Sequence, residues 1–185
     1  MERRGRMKRT LTSAGMAIGL LLSSHCDADD EEERFVDSYR CAILHQLDEI
    51  HFRRSRYEEN RFVVIEPLES PLGYAQNFVQ CASDNTDQML CEAASGYYME
   101  PRTHLSRESV ASLARLGFST DDSHGNFQRQ LRVPDESSRA AIGEMLLRAL
   151  YEAYGIRIGH HLRVTAPLLG EDRAPLAPQS CAMIS

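Results

Sequence analysis

The sequence predicts an α+β domain, an antiparallel sheet of about four strands with its helices gathered on one face. Three observations predict it. Residues 74–98, YAQNFVQCASDNTDQMLCEAASGYY, hold two runs of β-formers and small apolar residues broken by Ser83-Asp84-Asn85-Thr86-Asp87. Asn and Asp side chains bond their own backbone and tolerate unusual φ, so the break is a tight turn and the whole a β-hairpin. Apolar residues at helical spacing flank the hairpin on both sides, and the connections between strands are short. Strands joined that way run antiparallel, so the order is helix, three strands, helix, strand, helix.

Each element has its own signal. From about Glu32 to Arg53, Phe35, Val36, Tyr39, Ile43, Leu47 and Ile50 make one face of a helix. Acidic residues at its start and Arg53, Arg54 and Arg56 at its end complement the helix dipole. Arg61 to Glu66 is a dense β-branched run stopped by Pro67. The hairpin follows, and Gly96 bends its second strand near Tyr97 and Tyr98.

Leu105 to Gly117 is the second helix. Ser106 caps it, Leu105 can pack on Val110 as a staple, and Gly117 sits where a left-handed terminal residue is wanted. Asn126 to Val133 alternates like an edge strand, with Arg and Gln outward. Asp135 caps the last helix, whose stripe runs through Ile142, Met145, Leu146, Ala149, Leu150 and Tyr154 to a stop at Gly155. Beyond Ile158 the histidine pair His160-His161 and the prolines Pro167, Pro175 and Pro178 leave too little apolar periodicity for a packed element. The chain thus divides into a signal-like or disordered segment 1–30, one domain over 31–158, and a mostly disordered tail 159–185.

Composition narrows the function classes. A formal net charge of -6, with scattered arginines after residue 50, lacks the basic stripe that nucleic-acid binding uses. The first residues, Arg3, Arg4, Arg6, Lys8 and Arg9, precede an uncharged run from Leu11 to Ser24 and an acidic exit after Cys26. That is the layout of a secretory signal, and the run is too short for a comfortable permanent span. Leu22 to Cys26 also looks like a lipoprotein box with His25 where a small residue belongs, and cleavage after Ala28 is an alternative. A misassigned start or a cytoplasmic arm is the plain reading. The expectation is export or envelope association if residues 1–28 act as a signal, and the cytoplasm otherwise.

The five cysteines show no CxxC and no ligand-spaced histidine. With a turn at Asn85-Thr86-Asp87, Cys81 and Cys91 lie opposite and can bridge; with Asn85-Thr86 alone, Cys81 faces Leu90 and cannot. Both registers are open at this level.

Catalytic constellations are weak. His160-His161 lacks further ligands nearby, and Asp121-Asp122-Ser123-His124 sits in a loop, whereas triads are assembled by a fold. Ser109, Ser112 and His104 have no nucleophile motif around them. Glu92, among small residues on a central strand, has a partner in the sheet or points outward. One feature stands out: the hairpin is apolar on both alternations, with Phe78 and Ala82 on one side, Val79 and Cys81 on the other, and Leu90 and Cys91 likewise split. A sheet covered on one side normally alternates cleanly, so the second face is expected to meet another polypeptide or a tail of its own.

Several phrases in series resemble the TY-Chap domains, a bacterial family related to type III secretion chaperones and YbjN-like proteins. They are Phe78-Val79-Gln80-Cys81-Ala82, Glu92-Ala93-Ala94-Ser95, Leu105-Ser106, Leu113 to Phe118, Gly125-Asn126-Phe127 and Leu150 to Gly155. The likeness runs in order from about Phe62 to Ile156. It departs at Phe118, where the family usually has Trp, and at Gly96, where it commonly has Asn. The resemblance implies a chaperone-like fold, a homodimer, and a client protein or peptide segment held partly extended, with no catalysis, cofactor or metal. Extended clients lie on a sheet face or add to its edge, and Phe78, Gln80, Leu90 and Glu92 are the contact candidates. A small exported envelope protein with a structural role is the alternative.

Overall fold

The computed structural model describes residues 23–52, 61–69, 77–84, 87–98, 105–121, 123, 125–166 and 175–176, with side chains from Asp30 to Ala166 within these ranges. Three helices, α1 (Ser23–Phe52), α2 (Arg107–Arg115) and α3 (Glu136–Glu152), accompany the strands β1 (Phe62–Pro67), β2 (Val79–Ser83), β3 (Gln88–Ala93), β4 (Phe127–Arg132), β5 (Leu162–Thr165) and the two-residue β6 (Pro175–Leu176). The sheet order is β4-β3-β2-β1-β5-β6, and every pair is antiparallel. The expected α+β order is therefore found, extended by strands after α3.

The helices lie on one face because each carries a single apolar stripe. On α1, Phe35, Tyr39, Ile43, Leu47 and Ile50 are fully buried, and α1 packs chiefly on α3. Arg148 binds Glu32 and Glu33 across that contact, and Arg40 bridges to Glu144 at 3.1 Å. The inner sheet face supplies Val63, Ile65, Val79, Cys81, Met89, Cys91, Ala93, Leu162 and Val164 to the same core. Two buried phenols are satisfied by main-chain carbonyls: Tyr154 donates to Ala94 at 2.7 Å and Tyr39 to His160 at 2.8 Å. Burial pushes the Tyr154 phenol well above its ordinary pKa, so it remains a donor.

The caps follow the sequence. Ser106 accepts from the Ser109 N–H at 3.1 Å and Asp135 from the Ser138 N–H at 2.8 Å. Leu105 and Val110 both pack on the core beside the α2 cap. Gly117 has φ +84°, with Phe118 N–H on the Leu113 carbonyl and Gly117 N–H on that of Ala114, each at 3.0 Å. That is a Schellman ending.

Three features differ from expectation, and one expectation falls outside the described residues. Helix α1 starts at Ser23, within the segment set aside as signal-like. Arg53, Arg54 and Arg56 lie outside the described residues; at the end of α1, buried Arg61 donates through Nε to the Ile50 carbonyl at 3.0 Å and through Nη2 to that of His51 at 2.7 Å. Arg129 does not point outward with the other polar residues of β4. It lies on the inner face, and its Nη1 donates to the Leu116 carbonyl at the end of α2 and to Met145 Sδ. The stretch after Ile158, read as lacking a packed element, contributes β5, which pairs with β1 from Val64↔Thr165 to Pro67↔Leu162. Leu162 and Val164 turn inward there, and a four-residue alternation is too short to stand out in a sequence.

The hairpin register is also decided. Cys81 stands opposite Cys91, the register with Asn85-Thr86-Asp87 in the turn, and the two form a disulfide with Cα atoms 4.1 Å apart. Cys41 is disulfide-bonded as well.

Candidate functional site

Strand alternation sorts the hairpin into two chemically distinct faces. Val79, Cys81 and Ser83 on β2 and Met89, Cys91 and Ala93 on β3 turn to the helices and are buried. The other face carries Gln80, Ala82, Gln88, Leu90 and Glu92, all at least partly exposed. The helices α1 and α3 both contact the sheet and lie on its inner side, so no described helix covers this outer face. The alternation is thus cleaner than two apolar faces would give.

Registers arrange the outer side chains in rows that cross the strands. One row runs Phe62, Ala82, Leu90, Gln130; the next runs Thr165, Val64, Gln80, Glu92, Gln128. The first is largely apolar, and Leu90 in it is 40% exposed. In the second, Glu92 is the centre of a three-strand ladder. Gln80 Nε2 donates to Glu92 Oε2, and Gln128 Nε2 donates to Glu92 Oε1 at 2.8 Å. Gln130 donates to Gln88 farther along β3 and β4.

Three of the four contact candidates, Gln80, Leu90 and Glu92, therefore meet on the open face. Phe78 differs: it precedes β2, is half-buried and packs against the core. Sequence reasoning noted Ala82 only as an apolar residue of the hairpin, and it missed Phe62 in the apolar row and Gln128 in the ladder. Only the strand register places them, although the β-branched run around Phe62 and the polar alternation of β4 were visible.

The β4 edge is short. Ser119 N–H donates to the Gln128 carbonyl at 2.7 Å, leaving Gln130 and Arg132 without a strand partner on that side among the described residues. At the same end of the sheet as Phe78, exposed Tyr97 and Tyr98 stack edge to face at 5.1 Å.

The catalytic candidates take structural parts. His160 Nδ1 accepts from the Arg157 N–H at 3.0 Å, and the His161 carbonyl accepts from Leu68, so the pair forms the turn into β5. Asp121 Oδ1 accepts from the Ser123 N–H in a loop turn; Asp122, His124 and His104 lie outside the described residues. Ser112 Oγ accepts from Arg115, and the Ser109 N–H serves the α2 cap. Among the described residues no three metal-ligating side chains converge. No described helix is long and apolar enough to cross a membrane.

A family model described as T3SS (YopN, CesT) and YbjN peptide-binding chaperone 3 matches residues 46–167, more than half of the chain. The chain belongs to the TY-Chap3 family. No curated protein and no solved structure matches it. The TY-Chap3 match runs from Gln46, near the end of α1, through β5, so the strand after α3 is inside the family's domain. Gly96 has φ +80°, a conformation open to Gly and to Asn, which accounts for either residue there. Phe118 is buried in the core, filling its place without the indole of a Trp.

Proposed function

We propose that this TY-Chap3 domain is a non-catalytic module that holds a partly extended segment of a client polypeptide against the outer face of β1 to β4. The observation that carries the proposal is the open row Phe62, Ala82, Leu90 on a sheet whose described helices all lie on the other side. An antiparallel sheet can be solvated on one face, but a row of apolar side chains there favours a partner. The face is favoured over the edge because Ser119 already occupies part of β4.

Leu90→Asp tests it. The side chain is exposed, so the melting temperature should change little, while affinity for a pool of extended synthetic peptides should fall at least about tenfold. Unchanged affinity would count against the open face. Phe78→Asp is a poorer probe, because Phe78 supports the core. A homodimer closed through the same face is the competing occupant. Light scattering would show it as a doubled mass abolished by Leu90→Asp.

We further propose that the domain works in an oxidising compartment, reached through the basic and then apolar start of the chain. Support comes from the disulfide of Cys81 with Cys91 and the bonded state of Cys41, since such bridges persist outside the reducing cytoplasm. Mass spectrometry of the protein from native cells, unfolded and alkylated before reduction, decides it. A processed N-terminus with Cys81 and Cys91 unlabelled supports export; an intact Met1 with both labelled places the protein in the cytoplasm.

A further inference from the structure

We infer that the client segment carries a basic side chain two residues from an apolar one, the basic group docking on Glu92. The inference deepens the peptide-binding proposal and rests on it. Glu92 stands between Gln80 and Gln128 in one row of the outer face. A carboxylate only accepts hydrogen bonds, so each glutamine must turn its amide nitrogen toward Glu92. The carbonyl oxygens of both glutamines are then directed away from Glu92. The ladder offers a full negative charge flanked by further acceptors.

No cation answers that charge within the described residues. Arg163, the cation nearest the row on the β5 side, is engaged at 3.4 Å by Glu66. Arg132 is paired in register with Gln88, four residues along β3 from Glu92. The remaining members of the row, Val64 and Thr165, are uncharged. A half-buried carboxylate whose partners among the described residues are neutral amides gains a charge-assisted bond from an ammonium or guanidinium.

Geometry supplies the spacing. The apolar row of Phe62, Ala82 and Leu90 lies two residues along the strands from the Glu92 row. Two residues of extended chain span about 6.8 Å, which is also the repeat of side chains on one side of an extended client. A segment running along the strands therefore places a basic side chain on Glu92 as its next same-side neighbour reaches Leu90. The chain's net charge of -6 steers basic segments toward it.

The test uses the full oxidised chain and four fluorescent peptides on a serine-rich extended background. One carries Lys and Leu two residues apart; the others replace Lys by Glu, Lys by Leu, or Leu by Ser. The Lys/Leu peptide should bind at least about fivefold more tightly than each of the others, with a preference for Lys that weakens as salt is added. Glu92→Gln keeps an amide ladder and should abolish the preference for Lys over Leu. Equal binding of the Lys, Leu and Glu peptides, or a Lys preference that survives Glu92→Gln, overturns the inference and leaves the peptide-binding proposal standing. Failure of all four peptides to bind overturns both. The comparison among peptides on the unmodified chain stands even if the variant folds poorly.

Discussion

Cys81 and Cys91 face each other across the β2–β3 hairpin with Cα atoms 4.1 Å apart, and both are fully buried beneath α1 and α3. The close Cα separation marks a non-hydrogen-bonded pair, the position in an antiparallel ladder where side chains approach most nearly. A bridge there closes a loop of ten residues.

The Cys81→Ala/Cys91→Ala double variant should lose about 2–3 kcal/mol of stability, the loop-entropy value for a closure of this length. Denaturant melts of the oxidised protein and the variant would measure it. With both sulfurs inaccessible, reductant should open the bond only as fast as the hairpin unfolds, so reduction should accelerate sharply in mild denaturant.

Arg61→Met should cost about 2–3 kcal/mol. The guanidinium serves the carbonyls of Ile50 and His51 and lies 3.3 Å from Ser83 Oγ, joining the end of α1 to the hairpin. Removing it strands buried acceptors, each of which costs roughly 1–3 kcal/mol. Chemical denaturation measures the loss, and hydrogen exchange should show the last turn of α1 opening first.

Two glycine variants should have opposite signs. Gly117→Ala places a side chain at φ +84° and brings its Cβ within 2.8 Å of the Arg129 guanidinium carbon, so a loss of about 1–2 kcal/mol is expected. Gly143→Ala lies inside α3, where the added Cβ would make ordinary 3.5 Å contacts with Ile43 and Leu47. It should gain about 0.5–1 kcal/mol from helix propensity. Thermal melts of both variants distinguish the two positions.

Stability should fall in two steps as the solution is acidified. Burial, then the charges of Arg139 and Arg61, hold His51 below its usual 6.5. The unfolded chain therefore takes up that proton first, and the first loss begins as pH drops below that value. Hydrogen bonds from the Ser138 side chain and main chain, then Ser137, hold the Asp135 carboxyl at about 2. Its contribution is whole above the unfolded value of 3.8 and disappears as pH falls through about 2. Melting curves from pH 7 to 2 should show both steps. His51→Gln should remove the upper one, and Asp135→Asn, which can still cap, should reduce the lower.

The features legible in the sequence are those whose cause is local. Ser106, Asp135 and Gly117 announce helix ends because their partners lie three to five residues away. The stripe on α1 was readable for the same reason. Cys81 and Cys91 were a choice between two registers, since one residue more or less in the turn moves every side chain of β3 to the other face. Arg129 looked like an outward residue because nothing near it reveals that the α2 carbonyls would lie within reach. For the site, Gln80, Leu90 and Glu92 could be named from alternation, but Phe62 and Gln128 join them only through pairings across the sheet. Phe78 sits just outside β2, half-buried against the core, so alternation alone does not describe its surroundings.

The seat of β5 beside β1 sets the smallest piece that can stand alone. A version shortened after Ile158 would strip β1 of the neighbour bonded from Val64 to Pro67 and uncover the hollow that Leu162 and Val164 fill. Such a fragment would show a raw central strand to its fellows and clump. Carried through Ala166, the domain keeps its lining whole.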